Sequence, residues 1–214
     1  MSRGIFVAIE GIDGSGKSTV ATRVVEKLNQ KGYQTVLTAE PTKGETGLLL
    51  RERLKQSSKE SGGVVEGAID AEYFFADRIY HNHALIKPKL ESGIHVVSDR
   101  YDLSTLAYQS TQGVDMDYLV EKRDSMRRLD LIEKPTMVIL LDVSVETALK
   151  RLEGTKKTME KFEDPNFLTR LKENYFRLYK RLDDNMKLVD AERGIEDVVE
   201  SACDLITQAI ENRV

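Results

Sequence analysis

Short apolar runs alternate along this chain with longer segments whose apolar residues recur every three or four positions. Ile5–Ile9, Thr35–Thr38, His95–Ser98, Met137–Val143 and Lys187–Asp190 have the length and composition of strands. Met137-Val-Ile-Leu-Leu-Asp-Val143 is the most apolar of them and predicts a strand buried on both faces. From Ser18 to Lys31, Val20, Val24 and Leu28 fall at i, i+4 and i+8, a helical stripe. Further helices are predicted at Gly47–Lys55, Ala68–Leu90, from near Ser104, and at Tyr118–Met126, Pro165–Leu182 and Ile195–Ile210. Ser144 is the expected cap of one more, running to about Leu152. Pro88 is expected to bend the end of the long helix, and Gly93 to break it. Ser57–Gly63 and the lysine-rich stretch Gly154–Asp164 carry no apolar periodicity. Strands separated by helices predict an α/β fold: a five-stranded parallel sheet with right-handed crossovers. Ligands are then expected beyond the carboxyl ends of the strands.

The 214 residues suit one domain, which at this length buries roughly 70 % of its unfolded surface. Charged residues at 32 % and hydrophobic ones at 40 % are ordinary for a globular chain. A net charge of −4 argues against a broad nucleic-acid surface, and no nucleic-acid partner is expected. No apolar run approaches 18 residues, so no membrane span is expected. Ile5–Ile9 is too short for a signal peptide and Glu10 interrupts it, so the expected location is cytoplasmic. Cys203 is the single cysteine and lies in an apolar helical stripe, where a packing thiol is expected. His81, His83 and His95 have no metal-ligand spacing and are read as structural.

Between the first strand and the first helix stands Gly11-Ile-Asp-Gly-Ser-Gly-Lys-Ser18, the pattern G-x-x-x-x-G-K-[ST]. Strand, glycine loop and helix in this order make a phosphate-binding loop. Gly11, Gly14 and Gly16 let the main chain approach a polyphosphate, and the helix N-terminus adds a favourable dipole. Ile12, Asp13, Ser15 and Thr19 complete the expected nucleotide-binding stretch. Lys17 is expected to reach the β- and γ-phosphates, and Ser18 to offer its hydroxyl to Mg²⁺.

Three more segments bear on what the phosphates belong to. Phe74 and Arg78 are four apart on the long helix and share a face, an arrangement that suits a planar base with a carbonyl acceptor. Asp99-Arg100-Tyr101 ends the third strand, where a carboxylate and a guanidinium are well placed for Mg²⁺ and phosphate. Glu40-Pro-Thr-Lys-Gly-Glu-Thr-Gly47, with Arg51 beyond it, follows the second strand on the same rim.

In combined order these segments resemble the thymidylate kinases, over nearly the whole chain. The resemblance rests on the glycine loop with Asp13 inside it, Glu40-Pro41, the Phe74–Arg78 helix and Asp99–Tyr101 followed by Ser104 and Ala107-Tyr-Gln109. Leu140–Val143, a basic lid at about 153–164 ending in Phe162-Glu163, and Val189-Asp-Ala191 complete it. It implies the three-layer P-loop NTPase fold, Mg²⁺, and transfer of the γ-phosphoryl of ATP to dTMP. By the same analogy Phe74 stacks on thymine and Arg78 bonds its 4-oxo group. Arg100, Arg51 and Lys43 hold the acceptor phosphate, and Asp13 meets the sugar 3′-hydroxyl. Tyr101 packs near the sugar, Tyr108 and Gln109 finish the base pocket, Asp99 holds Mg²⁺ through water, and the segment around Asp190 borders the adenine. Relatives often carry Arg where this chain has Ala39, and lid arginines where it has Lys156, Lys157 and Lys161. Lys156 or Lys157 is the expected lid cation, and a homodimer through the Tyr73–Tyr80 region is implied. Two other readings stay open: a related nucleotide or nucleoside kinase with a different acceptor, and a non-catalytic nucleotide-binding protein.

Overall fold

The computed structural model describes residues 2–56, 63–154 and 164–212. Five parallel strands lie in the order β2-β3-β1-β4-β5: β1 Phe6–Glu10, β2 Thr35–Ala39, β3 His95–Asp99, β4 Met137–Asp142 and β5 Met186–Asp190. Each strand returns to the sheet through at least one helix, as parallel pairing requires. The helices are α1 Lys17–Gln30, α2 Glu45–Gln56, α3 Val64–His81, α4 Lys87–Glu91, α5 Asp102–Thr111, α6 Met116–Arg128, α7 Val145–Glu153, α8 Pro165–Arg181 and α9 Ile195–Glu211. β1 is buried along its whole length and sits at the centre of the sheet, with a continuous apolar core around it. β4 is buried except at Asp142, as its composition predicts. Among the described residues no helix is long and apolar enough to cross a membrane.

The long helix departs from its prediction in two ways. It begins at Val64 rather than Ala68, and a π-helical segment, Asn82–Ile86, separates α3 from α4. Pro88 is the cause. It has no N–H to donate, and its ring would meet the carbonyl four residues back. The wider turn, in which the Lys87 N–H reaches the Asn82 carbonyl, relieves that clash. Asn82, which continues the buried face of α3, bonds the Tyr101 hydroxyl through its amide nitrogen at 2.8 Å. Two other helices start earlier than their apolar stripe suggests. α5 starts at Asp102, and α6 starts at Met116 because Asp115 caps it through the Tyr118 N–H. Ser144 caps α7 as expected, accepting from the Thr147 N–H.

Candidate active site

The carboxyl ends of β1, β3 and β4 and the residues after them form one rim. At its centre the glycine loop turns from β1 into α1. A Cβ on Gly14 would stand 2.3 Å from the Ala148 carbonyl oxygen, so only glycine fits there. Gly16 has φ 93° and is the N-cap of α1, without a side-chain cap. The first N–H groups of α1 therefore have no protein side chain to satisfy them and are available to an anion. Lys17 is 6 % exposed, and its Nζ bonds the Ile12 carbonyl at 2.8 Å. Burial, and then the nearby Arg100 guanidinium, depress its ammonium to about pKa 8. Ser15 Oγ is buried without a partner.

Ser18 and Asp99 come together as expected. Ser18 Oγ donates to Asp99 Oδ2 at 2.5 Å, while Asp99 Oδ1 is buried without a hydrogen-bond partner. One hydroxyl, one carboxylate with an unused oxygen and the adjoining phosphate loop fit Mg²⁺, which fills its octahedron largely with phosphate and water oxygens. Among the described residues there is no group of three or more His, Cys, Asp or Glu to build an all-protein cage.

Arg100 stands in a left-handed conformation, φ 72°, at the corner between β3 and α5. The corner is held from below by Glu10, the last residue of β1. Its buried carboxylate accepts from the Tyr101 N–H at 2.7 Å, the Ser104 N–H at 3.2 Å, Ser104 Oγ at 2.6 Å and the Tyr175 hydroxyl at 3.1 Å. Burial pushes Glu10 up to about pKa 7 despite these donors and Arg100. The Arg100 guanidinium is thereby thrown across the rim, where it pairs with Asp13 and reaches the Tyr108 hydroxyl at 3.1 Å. Lys17 Nζ approaches the same Asp13 to 3.9 Å. Burial opposes the charge on Asp13, but Arg100, Lys17 and the Tyr108 hydroxyl together hold its pKa below the usual carboxylate value.

Behind this cluster Arg78 is fully buried. Its Nε and Nη2 bond Glu40 Oε2 at 3.0 and 2.6 Å, and Nη2 also meets Thr105 Oγ1 at 2.9 Å. Its Nη1 is buried with no partner, a donor left over for a ligand. The other Glu40 oxygen lies 3.0 Å from His81 Nδ1, and His81 Nε2 lies 2.7 Å from Thr38 Oγ1. Asp77 fixes the loop after β2 through the Thr42 N–H at 2.7 Å, Thr42 Oγ1 at 2.6 Å and Thr46 Oγ1 at 2.7 Å.

Residues 9–202 match the sequence profile described as thymidylate kinase. The chain belongs to the thymidylate kinase family. It is 38 % identical over 212 residues to the "Probable thymidylate kinase" of Thermococcus gammatolerans, covering 97 % of this chain and 98 % of that one. It is 39 % identical to that of Thermococcus onnurineus, covering 91 % and 93 %. With the "Probable thymidylate kinase" of Pyrobaculum calidifontis it shares 34 % identity, covering 96 % and 97 %.

Against the roles this family suggests, the residues fall as follows. Lys17, Ser18, Asp13, Asp99, Arg100 and Tyr108 converge on one rim. Phe74 is half-buried beside Arg78 on α3, and Lys43 is exposed on the loop after β2. Arg51 is turned onto that loop's own backbone, bonding the Pro41 carbonyl. Gln109 is fully buried, bonded to Gln112 Oε1 at 3.1 Å with its own Oε1 unpartnered. Tyr101 corrects the expectation that it packs against a sugar. It is 0 % exposed, its hydroxyl bonds the Glu133 carbonyl at 3.0 Å, and its ring packs edge-on against Phe6. Asp190 lies in the segment that borders the cleft beside the loop. Its carboxylate accepts from the Glu192 N–H, whereas Ala191 and Arg193 line the cleft beside the loop. Lys156 and Lys157 lie outside the described residues. The sequence reading assigned no role to Glu10, Glu40 or Thr105. An acidic residue at the end of an apolar strand, directly before a glycine loop, was the available signal for Glu10.

Proposed function

We propose that this chain transfers the γ-phosphoryl of ATP to dTMP, giving dTDP and ADP, as a step toward dTTP. The observation that carries this reading is the sharing of Asp13 by Lys17 and Arg100: the donor-side and acceptor-side cations flank a single carboxylate. Two polyanions that must meet end to end need fixed positive charge at their junction. The acceptor phosphate is largely a dianion at pH 7, with a second pKa of about 6, so no strong base is required. Catalysis is then positioning and electrostatics.

In this reading the α1 amides and Lys17 bind the donor phosphates, and Arg100 orients the acceptor phosphate, assisted by Lys43 and Arg51. Arg78 offers its free Nη1 to the thymine 4-oxo group while Phe74 stacks on the ring. Gln109 and Tyr108 border the base, and Asp13 meets the sugar hydroxyl. Bound beside Ser18 and Asp99, Mg²⁺ supplies neutralisation of phosphate charge. Lys156 and Lys157 are proposed as lid cations on charge balance alone, and a cytoplasmic location goes with the same proposal.

A homodimer is also proposed, supported by exposed apolar residues on α2 and α3: Leu48, Leu49, Val65, Ile69, Tyr73 and Tyr80. Sedimentation should give twice the chain mass, and Leu49→Glu with Tyr73→Glu should give a monomer. For the reaction itself, ADP release is measured with dTMP, dUMP, dCMP, dGMP and AMP. A clear preference for dTMP is expected. Equal rates across the acceptors, or trapped ATP without dTMP-dependent turnover, would overturn the reading.

A further inference from the structure

Arg100 is fixed at its two ends by different means. Its backbone is held where β3 turns into α5: the N–H donates to the Ile9 carbonyl at 2.9 Å, and the carbonyl accepts from Ser98 Oγ at 2.6 Å. A long side chain with rotatable bonds runs from there to the guanidinium, so the backbone alone does not fix where the charge stands. Three side chains do. Nη2 meets Asp13 and the Tyr108 hydroxyl, the Tyr108 ring centroid lies 5.0 Å from Cζ, and Nη1 donates to Ser104 Oγ at 3.2 Å.

Two of these three already have partners in the kinase reading: Asp13 meets the sugar hydroxyl and Tyr108 borders the base. Ser104 has none there. It lies in the first turn of α5, 6 % exposed. Its hydroxyl, with one hydrogen and two lone pairs, is fully used. Glu10 Oε2 stands 2.6 Å away. Above the pKa of about 7 to which burial lifts Glu10, that oxygen belongs to a carboxylate and can only accept, so the Ser104 hydrogen points to it. The lone pairs are left for Arg100 Nη1 and for the Tyr175 hydroxyl, 3.0 Å away. Tyr175 comes from α8 and is buried, and its hydroxyl also lies 3.1 Å from Glu10 Oε2. The direction of the Ser104 hydroxyl is therefore set from the core, by β1 and α8, before it reaches the guanidinium.

We propose that Ser104 is a positioning residue for the acceptor phosphate: it holds one edge of the Arg100 guanidinium, and Tyr175 holds Ser104. The proposal rests on the reading of Arg100 as the acceptor-phosphate cation and adds the device that aims it. Both hydroxyls act through Arg100. Nη1 keeps its second hydrogen and Nε has no partner among the described residues, so the anchored guanidinium retains donors for a phosphate.

The effect must then depend on the phosphate. Thymidine carries the same base and sugar without it. The test is calorimetric binding of dTMP and of thymidine at pH 8 to the unaltered protein, Ser104→Ala, Tyr175→Phe and the double variant. Each substitution deletes one hydroxyl and keeps the carbon frame. Ser104→Ala is expected to weaken dTMP on the order of tenfold, as for loss of a hydrogen bond to a charged group, and to leave thymidine within about twofold. In steady state the same variant raises KM for dTMP and leaves KM for ATP within about twofold. Tyr175→Phe is expected to show the same pattern with a smaller loss. The double variant should lose no more than Ser104→Ala alone, because Tyr175 acts through Ser104. Equal losses for dTMP and thymidine, or unchanged dTMP binding, overturn the proposal. Losses that multiply in the double variant overturn the part given to Tyr175. If Ser104→Ala does not fold, Tyr175→Phe carries the same comparison. Binding needs no turnover, so the absence of dTMP-dependent ADP release fells the kinase reading while the two ligands still decide this one. An unaltered protein that binds dTMP no more tightly than thymidine overturns this inference directly.

Discussion

In the proposed reading the donor-side groups are main-chain amides and side chains of consecutive residues, Gly11 to Thr19. The proposed acceptor-side groups are side chains from separate segments: Asp13 on the loop, Arg78 on α3, Arg100 at the β3–α5 corner and Tyr108 on α5. The two halves are stabilised differently. The loop is shaped by backbone conformation, with Lys17 folded back on the Ile12 carbonyl. The acceptor half is held by buried charge, with Glu40 tying Arg78 to His81 and Glu10 pinning the corner under Arg100. A main-chain site tolerates the loss of a side chain and still folds. A site of interlocked buried charges loses its shape when one partner is removed.

That contrast can be broken by substitution. The largest effect on activity is expected from Lys17→Ala. Steady-state kinetics should show kcat/KM lower by on the order of a thousandfold, comparable to loss of a key preorganised charge-stabilising group. Its melting temperature should stay close to that of the unaltered protein, because a buried, already depressed ammonium adds little to stability. Glu40→Ala should do the reverse first. Removing one partner of a buried pair costs about 3–5 kcal/mol, and for a chain of this size that lowers the melting temperature by about 10 °C. An unchanged melting curve would show that the Glu40–Arg78 pair does not hold the acceptor half.

A smaller effect comes from pH. In the proposed reading Lys17 binds phosphate in its protonated form, and burial lowers its pKa in the free protein to about 8. The profile of kcat/KM for the nucleotide donor, which reports free-enzyme ionisations, should therefore turn down near pH 8. It should fall as pH rises through that value. A profile flat to pH 9.5 would remove Lys17 from donor binding. The smallest effect is expected at the surface. Lys27→Ala breaks an exposed pair with Glu200 between α1 and α9, and the melting temperature should not move measurably.

Sequence reading reached the two halves unequally for the same reason. The glycine loop is legible because its groups are adjacent and follow a fixed spacing, and the strands and most helices are legible from apolar periodicity. The Glu40–Arg78 pair joins residues 38 apart, and no local pattern announces it. Tyr101 was misplaced because it follows Arg100 directly. The left-handed corner reverses the chain, so Arg100 faces the rim while Tyr101 faces the core. The π-helical segment was hidden likewise. Pro88 signals a disturbance of the helix, but not that it takes the form of a widened turn at Asn82–Ile86. The segment around Asp190 is legible at the edge of the cleft, although the lining residues themselves, Ala191 and Arg193, come just after the strand.

The corner at Arg100 has a consequence for anyone redesigning this chain for robustness. A bulky residue at positive φ is a costly conformation, of order 1–3 kcal/mol, and among the described residues Arg100 is one of two non-glycine residues so placed, the other being Asp130 on the surface. A survey for thermostabilising replacements would single out position 100 and suggest glycine. Following that advice would remove the guanidinium that spans the rim, so this strained corner is also one that resists improvement.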